Sequence, residues 1–194
     1  MKEIVLASGN PGKIREIQAM LPEWRITPQS QFNVPEADET GTTFIENAII
    51  KARQAARLSG LPAIADDSGL AVDALHGAPG VISALYAGKG AGDAANTDKL
   101  LREMSEIPDG QRRARFICVM VFMRHADDPT PLFGQGVWEG EILRAPSGGN
   151  GFGYDPVFWV PTHACSSAAL PPETKNQISH RAQALQALTR QLRV

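Results

Sequence analysis

Apolar and polar positions lay strands and helices alternately along the chain. Lys2 to Ala7 reads as a buried strand, broken by Ser8-Gly9-Asn10-Pro11-Gly12 before Lys13, Ile14, Ile17 and Leu21 set up a helical face. Trp24 to Thr27 reads as a second short strand, and the acidic, turn-rich segment from Asn33 to Gly41 has no period. Thr43 and Glu46 have the spacing of a capping box. A helix is therefore predicted to about Ser59, with Gly60 as its stop and Phe44, Ala48, Lys51, Ala52 and Ala55 near one face. Leu61 to Ala65 predicts a strand that ends in Asp66-Asp67-Ser68-Gly69.

The stretch from Gly77 to Asn96 is rich in glycine and alanine and resists assignment, with Asp93 or Thr97 as candidate caps of a helix ending near Ile107. Arg115 to Arg124 is the clearest strand, because residues 116–122 form a nearly continuous apolar run suited to the centre of a sheet. Val137 to Leu143 is expected to pair with it across the turn at Asp127 to Pro131, adding an antiparallel component. Ser179 to Leu192 predicts a last helix that carries Ala184, Leu185, Leu188 and Leu192 inward. Interleaved strands and helices place the fold in the α/β class with a mixed sheet.

A chain of 194 residues suits one core, or one domain with two lobes. Hydrophobic residues at 43% and charged residues at 21% make a soluble globular balance. A net charge of -2 argues against nonspecific wrapping of nucleic acid, which needs lysines and arginines massed on one face, so no stable nucleic-acid partner is expected. Arg112-Arg113 with Arg115 reads as the solvated edge of a strand. Two cysteines, Cys118 and Cys165, are too few for a disulfide scaffold and are expected as free thiols. No signal peptide is apparent, and nowhere do about 18 apolar residues follow one another, so a cytoplasmic location without a membrane partner is expected.

Four polar clusters carry candidate chemistry. In the first, Ser8-Gly9-Asn10 ends a strand and Lys13 sits in the first turn of the next helix, where free amides and the helix dipole favour an anion such as phosphate. The spacing does not satisfy the Walker pattern. In the second, Asp66 and Asp67 repel each other unless a divalent cation, with Mg²⁺ the obvious candidate, or a cationic side chain offsets them. Glu39 or Asp38 could complete the shell, whereas Glu46 is better explained as a cap. The third is Gly151-Phe152-Gly153-Tyr154-Asp155-Pro156, a rigid loop in which Phe152 or Tyr154 could stack on a base. There Asp155 either accepts from ring nitrogens or fixes the loop's own amides. The fourth is Lys175 with Ser179-His180-Arg181, where two cations in a first helical turn oppose the dipole unless a ligand or carboxylate compensates.

Taken in order, these residues resemble the inosine triphosphate/xanthosine triphosphate pyrophosphatase family, which acts on non-canonical purine nucleotides. The marks are Ala7-Ser8-Gly9-Asn10 with Gly12-Lys13, Glu39-Thr40-Gly41 with Thr43-Phe44 and Glu46-Asn47-Ala48, Ala65 to Leu70, Gly77-Ala78-Pro79-Gly80, Gly151 to Pro156, and Lys175 with Ser179-His180-Arg181. The resemblance implies an elongated α/β protein with a long mixed sheet flanked by helices, two lobes around a central cleft, and a homodimer. It implies Mg²⁺-dependent hydrolysis of dITP, ITP and XTP to the monophosphate and pyrophosphate, which cleans the nucleotide pool. Carried onto this chain, it makes Asp67 the general base and a metal ligand, Glu39 the second metal ligand and Lys13 a catalytic cation. Ser8, Gly9, Asn10, Pro11, Gly12 and Lys13 would contact phosphate and sugar, Lys51 would meet phosphate and Ser68 would touch the substrate. Phe152, Gly153, Tyr154 and Asp155 would hold the base, and Lys175, His180 and Arg181 would read or orient it.

One departure stands out. Relatives usually carry Ser-Ala-Arg-Tyr after Pro79-Gly80, whereas this chain reads Ser83-Ala84-Leu85-Tyr86 and lacks that positive charge. Septum-formation-type nucleotide pyrophosphatases share the architecture and reaction but match less well in the opening and base-binding motifs. A nucleotide-binding regulatory protein that has lost activity is the reading from a different class.

Overall fold

The structure, a computed structural model, describes residues 2–9 and 11–192, and among them five α-helices and seven strands, interleaved at first and then running as four successive strands and two helices. The strands are β1 (Lys2–Leu6), β2 (Trp24–Pro28), β3 (Ala63–Val72), β4 (Arg113–Met123), β5 (Leu132–Ile142), β6 (Phe158–Val160) and β7 (Cys165–Ser166). The helices are α1 (Pro11–Met20), α2 (Phe44–Ser59), α3 (Gly92–Glu103), α4 (Pro172–Ile178) and α5 (His180–Leu192). The sheet order is β2-β1-β3-β4-β5-β6-β7. β1 runs parallel to β2 and β3, whereas β6 is antiparallel to β5 and β7, so the sheet is mixed as expected.

The chain divides into two compact units, and β3 and β4 each pass from one to the other. The first comprises 1–67, 118–136 and 183–194. Its core follows the period of two along each strand. Ile4, Leu6, Ile64, Cys118, Met120 and Phe122 meet Ile17 and Leu21 of α1 and Ala184, Leu185 and Leu188 of α5. The intervening residues Val5, Ala63, Ala65, Val119 and Val121 meet Ala48, Ala52, Ala55 and Ala56 of α2. Small alanines on that helix face bring its backbone close to the sheet. The capping box is present: Thr43 accepts from the Glu46 amide, the Glu46 carboxylate accepts from the Thr43 amide, and Gly60 ends the helix at φ 71°.

The second unit comprises 68–117 and 137–182. Its core joins Leu70 and Val72 of β3, Leu100 of α3 and Met104 just after it, and Phe116 of β4 with Trp138, Tyr154, Phe158 and Leu170. Both cysteines are free, and no described helix is long and apolar enough to cross a membrane.

Four expectations need correcting. β3 does not stop before Asp66 but continues through Asp66-Asp67-Ser68-Gly69 to Val72, because each carboxylate meets a lysine and the strand keeps its apolar partners beyond them. β5 begins at Leu132 rather than Val137. Three of its buried positions are glycines, and Gly134 and Gly140 lie so close to the backbone of α5 and β6 that a side chain would not fit. α3 starts at Gly92 without a side-chain cap and ends at Glu103, short of Ile107. Arg112 is buried rather than a solvated edge, since its guanidinium donates to the carbonyls of Met104, Ile107, Ile142 and Leu143 and so satisfies the open C-terminal end of α3.

The turn after β4 is held by Asp128, which is buried and accepts from the Arg124 and Thr130 amides and the Arg124 guanidinium. Burial alone would raise its pKa, but the hydrogen bonds from Arg124 and Thr130 outweigh it and hold the carboxyl below 3.8. A depressed carboxyl stabilises the fold above its unfolded pKa and loses that contribution as pH falls through the folded value. Asp128→Ala is expected to destabilise the chain by about 1–3 kcal/mol at neutral pH, the gap to wild type closing as urea denaturation is repeated below pH 3.8.

Candidate active site

Period two along β3 sends Asp66 and Asp67 to opposite faces, and a lysine from a different helix meets each. Lys13, in the first turn of α1, places its ammonium 2.8 Å from both oxygens of Asp66. Lys51, two turns into α2, places its ammonium 3.1 Å from Asp67 Oδ1 and 2.8 Å from Glu39 Oε1. Glu39 lies on the irregular segment before α2. Asn47, buried on α2, anchors the end of that segment by accepting from the Gly41 amide at 2.8 Å, where any larger side chain at 41 would collide.

The electrostatics follow from this packing. Burial lifts the Asp67 pKa above 3.8 and the nearby Glu39 adds to the rise, with Lys51 opposing both. Burial pulls the Lys51 ammonium down, but Asp67, Glu39 and Asp66 together hold it above 10.5. Asp67 Oδ2 is buried and accepts no hydrogen bond, the state of an oxygen suited to a cation. Among the described residues, no three histidine, cysteine, aspartate or glutamate side chains gather into a ready ligand set. Mg²⁺ is commonly held by one or two carboxylates together with waters and substrate phosphates, and Asp67 with Glu39 fits that habit.

In the second unit the loop from Gly151 is organised by Asp155. This buried carboxylate accepts from the Ser167 hydroxyl on Oδ1 at 2.7 Å, and on Oδ2 from the Phe152 amide at 2.9 Å and the Lys175 ammonium at 2.5 Å. Phe152 is 60% exposed, with the Lys175 ammonium 5.4 Å and the Arg181 guanidinium carbon 5.9 Å from its ring centroid. An exposed aromatic ring with two cations beside it can serve as a platform for a planar anionic or electron-rich ligand. His180 is buried and stacks on Phe116 at 4.8 Å and 12°. Tyr154 points into the core and donates to the Ser83 carbonyl at 2.7 Å.

With this geometry in place, similarity to known proteins decides the family. The sequence profile of the Ham1 family matches residues 4–191. The chain belongs to the Ham1 family. It is 63% identical over 190 residues to the dITP/XTP pyrophosphatase of Vibrio cholerae, a match covering 97% of this chain and 95% of that protein. It is 56% identical over 193 residues to the dITP/XTP pyrophosphatase of Pseudomonas aeruginosa, covering 99% and 98%. Among solved structures, a HAM1 protein from Coxiella burnetii superposes with a TM-score of 0.96 at 54% identity, covering 100% of this chain and 99% of that one. The Staphylococcus aureus Ham1 protein does so with a TM-score of 0.92 at 42% identity, covering 99% and 98%.

Within this Ham1 chain, the sequence-predicted residues separate into the two groups just described. Glu39, Lys51 and Asp67 are brought together in the first unit and Lys13 pairs with Asp66 on the other face of β3, with Ser8 and Gly9 at the end of β1 and Pro11 and Gly12 opening α1. Asn10 lies outside the described residues. Phe152, Gly153, Asp155, Lys175, His180 and Arg181 belong to the second unit, where Ser68 is its first residue. Of the two candidate stacking rings, Phe152 is the exposed one and Tyr154 is occupied by the core. Asp155 fixes the loop's own amide, one of the two roles its sequence left open. Leu85 is 52% exposed, outside the core of its unit.

Four supporting residues were not legible as such. Asp66 stands in the sequence as half of an acidic pair, with nothing local to point to Lys13 as its partner. Asn47 was read only as part of a family mark, and Ser167 gives no sign in a run of serines and alanines. Asp93 looked like a helix cap but accepts from the Gly153 amide sixty residues away at 2.8 Å. Removing one partner of a buried ion pair leaves an uncompensated charge. Lys13→Met is accordingly expected to destabilise the chain by about 2–4 kcal/mol, and adding Asp66→Asn should restore most of it; additive effects in chemical denaturation would contradict the coupling.

Proposed function

We propose that the chain hydrolyses dITP, ITP and XTP to the nucleoside monophosphate and pyrophosphate. The observation that carries this reading is near-full-length identity of 63% to a dITP/XTP pyrophosphatase, and the charge pattern of the first unit supports it. The two units are proposed to serve one pyrophosphatase domain, and that domain to work as a homodimer.

In the proposed reaction a water oxygen attacks the α-phosphorus and the bond from that phosphorus to the bridging oxygen breaks. Pyrophosphate leaves with the bridging oxygen, and the water's proton passes to the Asp67 carboxylate. Burial supports that role, because a carboxyl held above its ordinary value is a stronger base at neutral pH. Lys13 and Lys51 supply mobile positive charge to the phosphates, each exchanging a carboxylate partner for a phosphate oxygen. Mg²⁺, held by Asp67 and Glu39, would neutralise phosphate charge and acidify a bound water.

Phe152 would stack on the purine, with Lys175 and Arg181 beside its ring. Selection of a 6-keto purine would follow from donors on His180 and Arg181 directed at O6. A 6-amino purine meets donor with donor, and each unpaired group costs about 1–3 kcal/mol.

The test is pyrophosphate release with Mg²⁺ from dITP, XTP, dATP and dGTP, beside Asp67→Asn and Glu39→Gln. Preference for dITP and XTP over dATP of at least about a hundredfold is expected, with Asp67→Asn reducing turnover by about a hundredfold or more. Glu39→Gln should raise the Mg²⁺ concentration needed for half-maximal rate. Equal turnover of dATP and dITP, or full activity of Asp67→Asn, would sink the reading. Sedimentation velocity tests the dimer, a purely monomeric species at micromolar concentration counting against it.

A further inference from the structure

Behind the Phe152 loop stands a hydroxyl that touches no exposed surface. Ser167 is fully buried and opens the short 3-10 turn Ser167–Ala169. That turn is anchored to the approach of the loop. The Ser166 hydroxyl donates to the Ser147 carbonyl at 2.6 Å and accepts from the Ala169 amide at 3.1 Å. The Asn150 amide donates to the Ala168 carbonyl at 2.9 Å. Gly148, at φ 85°, lies against the backbone of Ala168 and Ala169 with no room for a side chain. The Ser167 hydroxyl is thus fixed relative to the loop it faces, and it gives its proton to Asp155 Oδ1 at 2.7 Å.

Asp155 transmits that constraint. With Oδ1 held by Ser167, its Oδ2 is aimed at the Phe152 amide and the Lys175 ammonium. Gly151, at φ 80°, lies against the same carboxylate with no space for a side chain, so the carboxylate cannot turn without displacing the loop backbone. The other side of the loop is held differently. Gly153 donates its amide to Asp93 and accepts at its carbonyl from the Thr97 hydroxyl at 3.3 Å, both on α3. Those bonds hold Gly153 and leave the orientation of Phe152 to Asp155.

We propose that Ser167 is a positioning residue that sets purine discrimination by fixing the Asp155 carboxylate and, through it, the exposed Phe152 ring with its Lys175 neighbour. This rests on the reading of the Phe152 loop as the holder of the base. Ser167 itself contacts no substrate. Without its hydroxyl, Asp155 Oδ1 is a buried acceptor without that donor, and the carboxylate is drawn toward Lys175, which loosens the Phe152 amide.

The experiment uses the full chain as wild type, Ser167→Ala and Ser167→Cys, the last a weaker donor of nearly the same size. Steady-state kinetics with dITP and dATP are read beside amide hydrogen exchange of residues 150–156 without nucleotide. Ser167→Ala is expected to raise KM for dITP about tenfold, with kcat changed less than about twofold, to narrow the dITP-to-dATP preference, and to speed exchange at the Phe152 amide. Ser167→Cys should fall between alanine and wild type, and it carries the test if the alanine variant does not fold. A lowered melting temperature with unchanged KM, preference and Phe152 exchange would overturn the proposal and leave Ser167 a packing residue. If wild type releases no pyrophosphate from dITP, the reading of the loop fails, and the exchange data then decide alone whether Ser167 positions it.

Discussion

Two neighbouring carboxylates inside a buried strand are an unfavourable element, and the first unit is arranged around making it tolerable. Asp66 and Asp67 are both buried, so each would strongly resist ionisation without an opposite charge close by. A strand solves half the problem by sending successive side chains to opposite faces. Helices α1 and α2 solve the other half by bringing Lys13 to one face and Lys51 to the other. The alternation that segregates Ile64 toward α1 and α5 from Ala63 and Ala65 toward α2 also aims the two carboxylates. Packing and chemistry therefore share one register, and a one-residue slip of β3 would exchange both.

The second unit uses a buried carboxylate differently. Asp155 has an ammonium, a backbone amide and a hydroxyl as donors, so its charge organises a loop instead of compensating another acid. One side chain there fixes what several weak contacts would hold loosely, and its hydrogen bonds are stronger for being made to a charged group away from water. The exposed Phe152 ring is costly to order alone. It becomes available as a platform because its own amide is tied down behind it.

Much of this was legible in the sequence where local signals agree. The Thr43 to Glu46 capping box, Gly60 as the stop of α2 and the apolar run of β4 each combine a propensity with a period, and the structure keeps all three. The loop from Gly151 was legible as an organised turn because glycine, acid and aromatic residues occur together in unusual order. What escaped was set by distant contacts. β5 hid its first half because buried positions at 134 and 136 are glycines, and at Gly134 the missing side chain reflects the closeness of α5 and not a turn. Arg112 read as surface because its four carbonyl partners come from two separate segments. The extension of β3 through Asp66 and Asp67 was missed because an acidic pair signals a turn until the two lysines are known.

The charge inventory of the first unit bears on how the proposed substrate could be accommodated. Glu39, Asp66 and Asp67 pair with Lys13 and Lys51, three carboxylates against two ammonium groups, an excess of one negative charge within this set if all five are ionised. A nucleoside triphosphate brings several more, so the protein side chains alone would repel it. Freeing the lysines to meet phosphate makes matters worse, since each leaves a buried carboxylate uncovered. A divalent cation would resolve both difficulties: held by Asp67 and Glu39, it would offset phosphate charge and leave Asp67 covered when Lys51 turns to phosphate. Burial and the nearby Glu39 hold the Asp67 pKa above its ordinary value against the pull of Lys51, which marks its ionised form as costly where it stands. On this argument metal and substrate should bind with positive coupling, each weak at the first unit without the other.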